Sequence, residues 1–202
     1  MRKTERFISI FEKAERKYGC SDKRLSAEGW NYDWQVLVAT IMSAQSRDEV
    51  TILAAEKLFE KYTSLESLAN AEMFEVLKIF SGLNYNKTKA KNVIQTAKML
   101  VCDFDGIVPS NIEDLVLLPG VGRKTANLVL TTIYGMDGIC VDTHVHRISN
   151  VFGFVKTKNP TQTERALLKF VPRKYWAKIN RIFVLWGKDC SGRDKKKLLR
   201  AI

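Results

Sequence analysis

The sequence has no apolar run approaching the roughly 20 residues that a membrane-spanning helix needs, and its N-terminus passes directly into a charged amphipathic stretch. No signal peptide is visible, so we expect a protein of the cytoplasm or nucleoid without a membrane attachment. Internal repeats, low-complexity segments and long flexible linkers are also lacking. These absences exclude solenoids and disordered proteins, and favour one globular domain or two small lobes.

Cysteine is scarce as well. The chain has four, widely spaced, and none of them belongs to a CxxC pair or to another metal-ligand spacing. This pattern excludes a disulfide-rich secreted fold and a zinc finger, and indicates isolated thiols in a reducing compartment. The four are Cys20, Cys102, Cys140 and Cys190.

Acidic residues are outnumbered by basic ones. Lys and Arg total 33 against 22 Asp and Glu, which gives a formal charge of +11 and an isoelectric point near 9.5. A charge of this size implies an anionic partner, with nucleic acid as the leading candidate. Ribosomal, membrane-surface and heparin-binding proteins are equally basic, so the class of partner must come from the motifs.

The hydrophobic periodicity is helical almost throughout, and no segment sustains the period-2 alternation of a half-buried strand. One apolar stripe at helical spacing consists of Trp34, Leu37, Val38, Ile41 and Met42. Ser110 with Glu113, and Thr161 with Glu164, match the capping-box pattern that begins helices. We therefore predict an all-α fold of about nine or ten helices.

The segment 118–126 has the sequence LPGVGRKTA and predicts a hairpin between two helices. Pro119 and Gly120 prevent the first helix from continuing, and the lack of a Cβ at Gly120 and Gly122 lets the backbone approach a ligand. A helix that begins at about Arg123 offers N–H groups and a positive dipole to a phosphate. Such binding needs no base contacts, and it places the amine of Lys124 beside bound DNA.

Asp142 follows one helix later, in the sequence VDTH. An amine and a carboxylate beside DNA predict covalent attack on a deoxyribose carbon, with Lys124 as nucleophile and Asp142 as proton acceptor. Asp142 also suits the N-cap of the next helix. His144 and His146, at positions i and i+2, point in different directions and cannot share a metal ion in the usual i,i+4 manner. We predict no metal site here.

The strings LPGVGRKTAN and VDTHVHR, with Met42-Ser-Ala-Gln45 and the segment 82–92, resemble the endonuclease III family of helix-hairpin-helix DNA glycosylases. This resemblance implies an all-α, two-lobed fold. A six-helix barrel that contains the hairpin is expected over residues 27–137. A second lobe carrying Asp142 is expected from residues 1–26 together with 138–202, with a cleft for the flipped base.

The resemblance implies a bifunctional DNA glycosylase and AP lyase of base excision repair that acts as a monomer on oxidised pyrimidines in duplex DNA. Lys124 is the discriminating position, because relatives that excise adenine or mismatched thymine usually carry Ser or Tyr there. Two alternatives stay open: a mismatch or oxidised-purine glycosylase, and a non-catalytic DNA-binding module that uses only the hairpin.

Insertion into the DNA is assigned by the same resemblance. Gln45 fills the space that the flipped base vacates, and a second side chain comes from the loop 83–89, which looks about two residues longer than usual. Either Leu83 or Tyr85 supplies it. Lys87, like Lys89 and Lys91, is predicted to contact a DNA phosphate. Alternatively, these three lysines form a solvated helix face. The remaining predicted DNA-binding residues are Gly120, Val121, Gly122, Arg123, Thr125 and His144.

Members of the family typically end in a four-cysteine loop that holds a [4Fe–4S] cluster. Here Cys190 falls near the position of the first ligand and no cysteine follows it. We therefore expect no iron–sulfur cluster. The resemblance also allows a monovalent cation at the hairpin carbonyls near Leu118 and Val121.

Overall fold

The computed structural model describes residues 2–202, which form twelve α-helices and two short 3₁₀-helices and contain no strand. The all-α prediction is confirmed. The prediction of nine or ten helices is too low, in part because the five-residue helix Leu65–Ala69 is too short to display an apolar stripe. None of the helices in this part of the chain combines the length and apolar character that a membrane crossing requires.

The helices are α1 (Lys3–Tyr18), α2 (Asp33–Ser43), α3 (Asp48–Lys61), α4 (Leu65–Ala69), α5 (Met73–Ile79), α6 (Asn86–Asp103), α7 (Ile112–Leu115), α8 (Arg123–Tyr134), α9 (Thr143–Val151), α10 (Pro160–Leu168), α11 (Trp176–Asp189) and α12 (Lys195–Arg200). The 3₁₀-helices are Phe80–Gly82 and Arg173–Tyr175. The chain divides into two units. We call Arg24–Gly135 the hairpin unit, and Met1–Lys23 with Met136–Ile202 the terminal unit.

The hairpin unit is built around α2, which packs against α3, α6 and α8. The predicted apolar stripe of α2 is buried, but so is every other residue from 34 to 42. Two of these are polar and are satisfied locally. Gln35 Oε1 accepts the N–H groups of Asn31 and Tyr32, and Thr40 Oγ1 donates to the Val36 carbonyl at 2.7 Å. A polar group that is hydrogen-bonded in this way costs little when it is buried.

The terminal unit packs α11 against α1 and α9, and α10 against α9. Its core is aromatic. The Phe7 ring stacks on Phe11 and meets Phe154 edge-on at a centroid distance of 5.1 Å. Offset and edge-to-face arrangements of this kind are the favourable ones for aromatic rings. The fully buried large side chains of this unit are Phe7, Phe11, Phe152, Phe154, Phe183 and Trp186.

Both predicted capping boxes are wrong in register. Asn111 caps α7 by accepting the N–H of Asp114, and Asn159 caps α10 by accepting the N–H of Gln162. Asn is at least as good an N-cap as Ser or Thr. Pro160 then occupies the first turn of α10, where its missing N–H costs nothing.

Candidate active site

The hairpin between α7 and α8 is fixed to the core of the hairpin unit. The Val121 N–H donates to the Leu118 carbonyl at 3.0 Å, and the side chains of both residues are buried. Thr96 on α6 donates its hydroxyl to the Pro119 carbonyl, also at 3.0 Å. These contacts make the turn a rigid element, so the start of α8 has a defined position within this unit.

The two glycines of the hairpin have different roles. Gly120 has a φ of +81°, and a Cβ there would lie 2.8 Å from Asn92 Nδ2 and 3.1 Å from Ile41 Cγ2. Gly122 has a φ of −93°, which any residue adopts, and no atom lies within 4 Å of an added Cβ. The tight turn therefore depends on Gly120. Gly122 instead leaves open space in front of the first N–H groups of α8.

Lys124 is the second residue of α8, and Arg123 is the first. Both side chains are exposed, and Thr125 behind them is half-buried. No side chain caps this helix, whose N-cap residue is Gly122. The positive end of the helix dipole and the guanidinium of Arg123 thus lie beside the Lys124 amine. The same features attract a phosphate, as the sequence predicts.

Asp142 lies in the terminal unit, whereas Lys124 belongs to the hairpin unit. Its carboxylate Oδ1 accepts the N–H of Val145 at 2.8 Å, which confirms Asp142 as the N-cap of α9. The side chain is half-buried. The cap fixes the carboxylate at the helix start, so a catalytic carboxylate at this point would be held in one orientation.

His144 and Arg147 on α9 lie against α11. At this point α11 carries Gly187, where a Cβ would lie 2.3 Å from His144 Nδ1 and 2.9 Å from Arg147 Nη2. Arg147 donates to the Gly187 carbonyl at 3.0 Å. Burial lowers the pKa of Arg147, and the charges of Cys190 and Asp142 act in the opposite direction. His144 thus packs against α11, and Gly187 is a requirement that the sequence did not reveal.

The second histidine of this helix has a structural role. His146 Nδ1 lies 2.7 Å from Thr163 Oγ1, and Asn150 donates to the His146 carbonyl at 2.9 Å. The first contact joins α9 to α10, and the second lies within α9. No group of three or more His, Cys, Asp and Glu residues in the described chain has an arrangement that suits a metal ion.

Gln45 lies in a short loop after α2, and a second loop precedes α6. The two loops are tied together, because Asn84 Nδ2 donates to the Gln45 carbonyl at 2.6 Å and the Asn84 N–H donates to Ser46 Oγ at 3.2 Å. Gln45 and Tyr85 both have left-handed backbone, with φ of +54° and +56°. Non-glycine residues in this region cost on the order of 1–3 kcal/mol each and concentrate at functional sites.

The residues of the second loop differ in exposure. Leu83 is 5% exposed and packs in the core of the hairpin unit, whereas Tyr85 is 65% exposed. Lys87, near the start of α6, is exposed, and so is Lys91. Lys89 on the same helix is only 4% exposed, and its Nζ donates to Ser46 Oγ at 2.7 Å. Lys89 therefore belongs neither to a solvated helix face nor to an exposed row of phosphate contacts.

Burial lowers the pKa of Lys89 to about 8. Sequence analysis missed the partnership of Lys89 with Ser46 and Asn84. The long apolar stem of a lysine can snorkel to solvent, so its presence among the other lysines of α6 gave no signal of burial. The left-handed backbone at Gln45 and Tyr85 gave none either, since neither residue type favours it.

The cysteines do not fit a [4Fe–4S] cluster, which needs four ligands around one site. Cys20 and Cys102 are exposed, whereas Cys140 and Cys190 are buried. The thiol of Cys190 lies 4.0 Å from the Lys197 carbonyl. It therefore packs between the end of α11 and α12, and is not one of a group of thiolates that converge on a shared ion.

Comparison with protein families gives a match over residues 38–173 to the HhH-GPD superfamily of base excision DNA repair proteins. Endonuclease III of Thermotoga maritima is 41% identical over 155 residues, which cover 77% of this chain and 73% of that protein. Endonuclease III of Synechocystis sp. is 38% identical over 161 residues, which cover 79% of this chain and 74% of that protein.

A solved structure of a trapped endonuclease III–DNA covalent intermediate, in its estranged-adenine complex, superposes with a TM-score of 0.85. It is 26% identical in sequence, and the match covers 95% of this chain and 89% of that one. The similarity therefore extends beyond the hairpin to nearly the whole fold.

Proposed function

The chain belongs to the HhH-GPD superfamily of base excision DNA repair proteins and, within it, to the endonuclease III family, and we propose that it removes oxidised pyrimidines from duplex DNA and cleaves 3′ to the abasic site. It is a DNA glycosylase and AP lyase. The observation that carries the proposal is the hairpin, which presents Lys124 in the first turn of an uncapped helix whose entrance Gly122 leaves open.

Lys124 and Asp142 divide the proposed chemistry. Asp142 accepts a proton from the Lys124 ammonium, and the resulting amine attacks C1′ while the N-glycosidic bond breaks. The base leaves with the bonding electron pair and takes up the proton that Asp142 holds. The sugar then opens to a Schiff base on Lys124. Loss of a C2′ proton breaks the C3′–O bond and expels the 3′ phosphate. General acid–base help supplies about 10²–10⁴-fold, and the charges of the site must supply much of the rest.

The DNA is held through its phosphates. The first N–H groups of α8, together with Arg123 and Lys87, supply positive charge without contacting bases. The solved complexes of endonuclease III with DNA support DNA as the ligand. Binding should then depend strongly on salt, because each neutralised phosphate releases counterions.

Substitutions of the two hairpin glycines test whether the hairpin binds DNA phosphates. We expect Gly122→Ala to change the free energy of unfolding by no more than about 0.5 kcal/mol, because its Cβ meets nothing, and yet to weaken binding to an abasic duplex severalfold. Gly120→Ala should instead destabilise the protein by about 1–3 kcal/mol or more, through its clash and its positive φ. Thermal unfolding and fluorescence anisotropy at one salt concentration separate the two effects. Equal affinity of Gly122→Ala and wild type would contradict the role of the hairpin.

Gln45 and Tyr85 are the proposed inserting residues. Leu83 shares the second loop, but its burial in the core makes it unavailable unless that loop rearranges, whereas Tyr85 is exposed. Extrusion of a base costs a few kcal/mol, which side chains that fill the gap help to offset. A tyrosine ring stacks on either orphan purine, so we expect only a weak preference for the opposite base.

A panel of lesions tests the substrate class. We expect base release under single-turnover conditions from duplexes that contain thymine glycol. Duplexes with 8-oxoguanine or a G·T mismatch should react at least about tenfold more slowly. This ratio corresponds to a difference of about 1.4 kcal/mol in activation free energy. Preferential release from either of the latter would replace the pyrimidine proposal with one of the alternatives, while the Lys124 chemistry would stand.

We propose that the enzyme works without an iron–sulfur cluster, because its cysteines do not converge on one site. Protein purified with iron and sulfide in the medium should lack the broad visible absorption of a [4Fe–4S] centre, and about four irons per chain would contradict this.

The hairpin carbonyls remain a proposed site for a monovalent cation, since the Leu118 oxygen keeps a second lone pair. DNA affinity should then be higher in potassium than in tetramethylammonium chloride of equal concentration.

The proposed setting is a monomer that acts on chromosomal DNA in the cytoplasm or nucleoid. Every residue assigned to catalysis or to DNA contact lies in one chain, so the proposal needs no second copy. Light scattering of the protein, alone and with one equivalent of duplex, should give the mass of a monomer and of a 1:1 complex. A stable dimer in both samples would contradict it.

A further inference from the structure

Two of the three non-glycine residues with positive φ in the described chain are Gln45 and Tyr85, and they lie in loops that hydrogen-bond to each other. Both side chains are exposed. A bulky residue stays in left-handed backbone only where its surroundings determine the conformation. Here those surroundings include the hydrogen bonds between the two loops.

Ser46 is the centre of these contacts. Its Oγ accepts hydrogen bonds from the Asn84 N–H and from the Lys89 ammonium, and its own N–H donates to the Ser43 carbonyl. Asn84 adds a second link through its side chain to the Gln45 carbonyl. One residue beside each left-handed position is thus bonded to the opposite loop.

Lys89 makes the arrangement unusual. A lysine ammonium is normally exposed, because removing it from water is costly unless it is well paired. Lys89 is nearly fully buried and its resolved hydrogen bond is to the neutral hydroxyl of Ser46, while its backbone N–H donates to the Tyr85 carbonyl. The same residue therefore contacts both loops, one through its side chain and one through its backbone.

We propose that Asn84, Ser46 and Lys89 form a loop clamp that fixes Gln45 and Tyr85 in the conformation needed to enter the duplex, so that Asn84 and Lys89 are positioning residues for base extrusion. The inference rests on the proposed insertion of Gln45 and Tyr85. Inserting side chains that are already in place do not have to be ordered during extrusion, and this preorganisation lowers the barrier. The clamp does not contact the reacting sugar, so chemistry on a base that needs little extrusion should not depend on it.

The test compares two duplexes under single-turnover conditions. One carries thymine glycol in a normal base pair, and the other carries it opposite an abasic analogue, where extrusion is easier. Asn84→Asp removes the donor to the Gln45 carbonyl without changing the size of the side chain. Its control is Asn86→Asp, which adds the same charge two residues away and keeps the oxygen that accepts the Lys87 N–H. Lys89→Met is matched by Lys98→Met, an exposed position on the same helix.

We expect Asn84→Asp and Lys89→Met to slow release of the paired lesion by about tenfold, and release of the lesion opposite the abasic analogue by no more than about twofold. Both controls should behave as wild type on both duplexes. Equal losses on the two duplexes would assign these residues a merely structural role and overturn the proposal. So would wild-type rates for both variants on the paired lesion.

A second readout is independent of the chemistry. Binding to a duplex with 2-aminopurine opposite a tetrahydrofuran abasic analogue should raise the 2-aminopurine fluorescence as the orphan base is unstacked. We expect this rise with wild type and both controls, and not with Asn84→Asp or Lys89→Met. If wild type released no thymine glycol, the proposed substrate would be wrong. The fluorescence would still show whether the loop clamp positions the inserting side chains. An equal rise with all proteins, or none with wild type, would overturn it.

Discussion

Replacing Asp142 by Asn should lower the single-turnover rate of base release by about 10²–10⁴-fold, the usual contribution of general acid–base catalysis. The fold should survive, because Asp142 caps α9 through one oxygen that accepts the Val145 N–H, and an Asn amide oxygen can do the same. Asn and Asp are about equally good N-caps. The substitution therefore removes the proposed proton acceptor and leaves the cap.

The terminal unit offers a matched control. Asp194 caps α12 by accepting the N–H groups of Lys196 and Lys197. Asp194→Asn should leave both the rate and the melting temperature near those of wild type. Asp142→Asn should share that melting temperature and lose the rate. If base release by Asp142→Asn stayed within about threefold of wild type, the carboxylate would be a cap alone and the proton would need another acceptor.

Lys89→Met should stabilise the protein at neutral pH by about 1–3 kcal/mol, although it removes a hydrogen bond to Ser46. Burial lowers the pKa of Lys89 from 10.5 to about 8, and such a change corresponds to a penalty on the order of 3 kcal/mol for holding the protonated lysine in the fold. Part of this is offset by the hydrogen bond that Met cannot make. Chemical denaturation of wild type, Lys89→Met and Lys98→Met at pH 7 measures the difference.

The pH dependence has a definite sign. Between about pH 8 and 10.5 the unfolded chain keeps the Lys89 proton and the folded protein releases it, so the contribution of Lys89 to stability improves as pH rises through this window. Below pH 8 its penalty is present in full. The advantage of Lys89→Met should therefore be constant from pH 6 to 7.5 and shrink towards pH 10. A variant that is less stable than wild type at pH 7 would show that Lys89 is there for stability.

A gain in stability with a loss of base extrusion would be characteristic of a residue kept for function. Removal of a structural residue lowers both. The two experiments on Lys89→Met are therefore complementary. Denaturation measures an expected gain in the free energy of unfolding, and the two-duplex experiment measures an expected loss in the rate of base release.

The hairpin was predictable from sequence because its requirements are local. A helix cannot continue through Pro119 and Gly120, and the N–H groups that follow have no partner inside the next helix. The sequence assigned the same role, close approach of the backbone to a ligand, to both glycines, whereas in the structure their roles differ. Gly120 has the positive φ and the close neighbours, and Gly122 has the open space. The distinction depends on Ile41 and Asn92, which are distant in sequence.

Other features could not be predicted because they depend on tertiary contacts. Gly187 looks like a weakness in the last turn of α11, and only the approach of His144 and Arg147 explains it. The burial of every α2 residue from 34 to 42 exceeds what the apolar stripe indicated, and it is possible because Gln35 and Thr40 are hydrogen-bonded locally. The capping boxes failed for a simpler reason: Asn111 and Asn159, which are capping residues at least as good as Ser and Thr, lie close by.

Borohydride trapping on a duplex with a single abasic site tests the central claim, that Lys124 forms a Schiff base with the opened sugar. Lys124→Ala removes the amine, and Lys124→Arg keeps the positive charge but replaces the amine with a guanidinium that stays protonated. We expect a covalent adduct with wild type and with neither variant, while Lys124→Arg still binds the duplex. An adduct that persists in both variants, or its absence from wild type that binds tightly, would contradict this account.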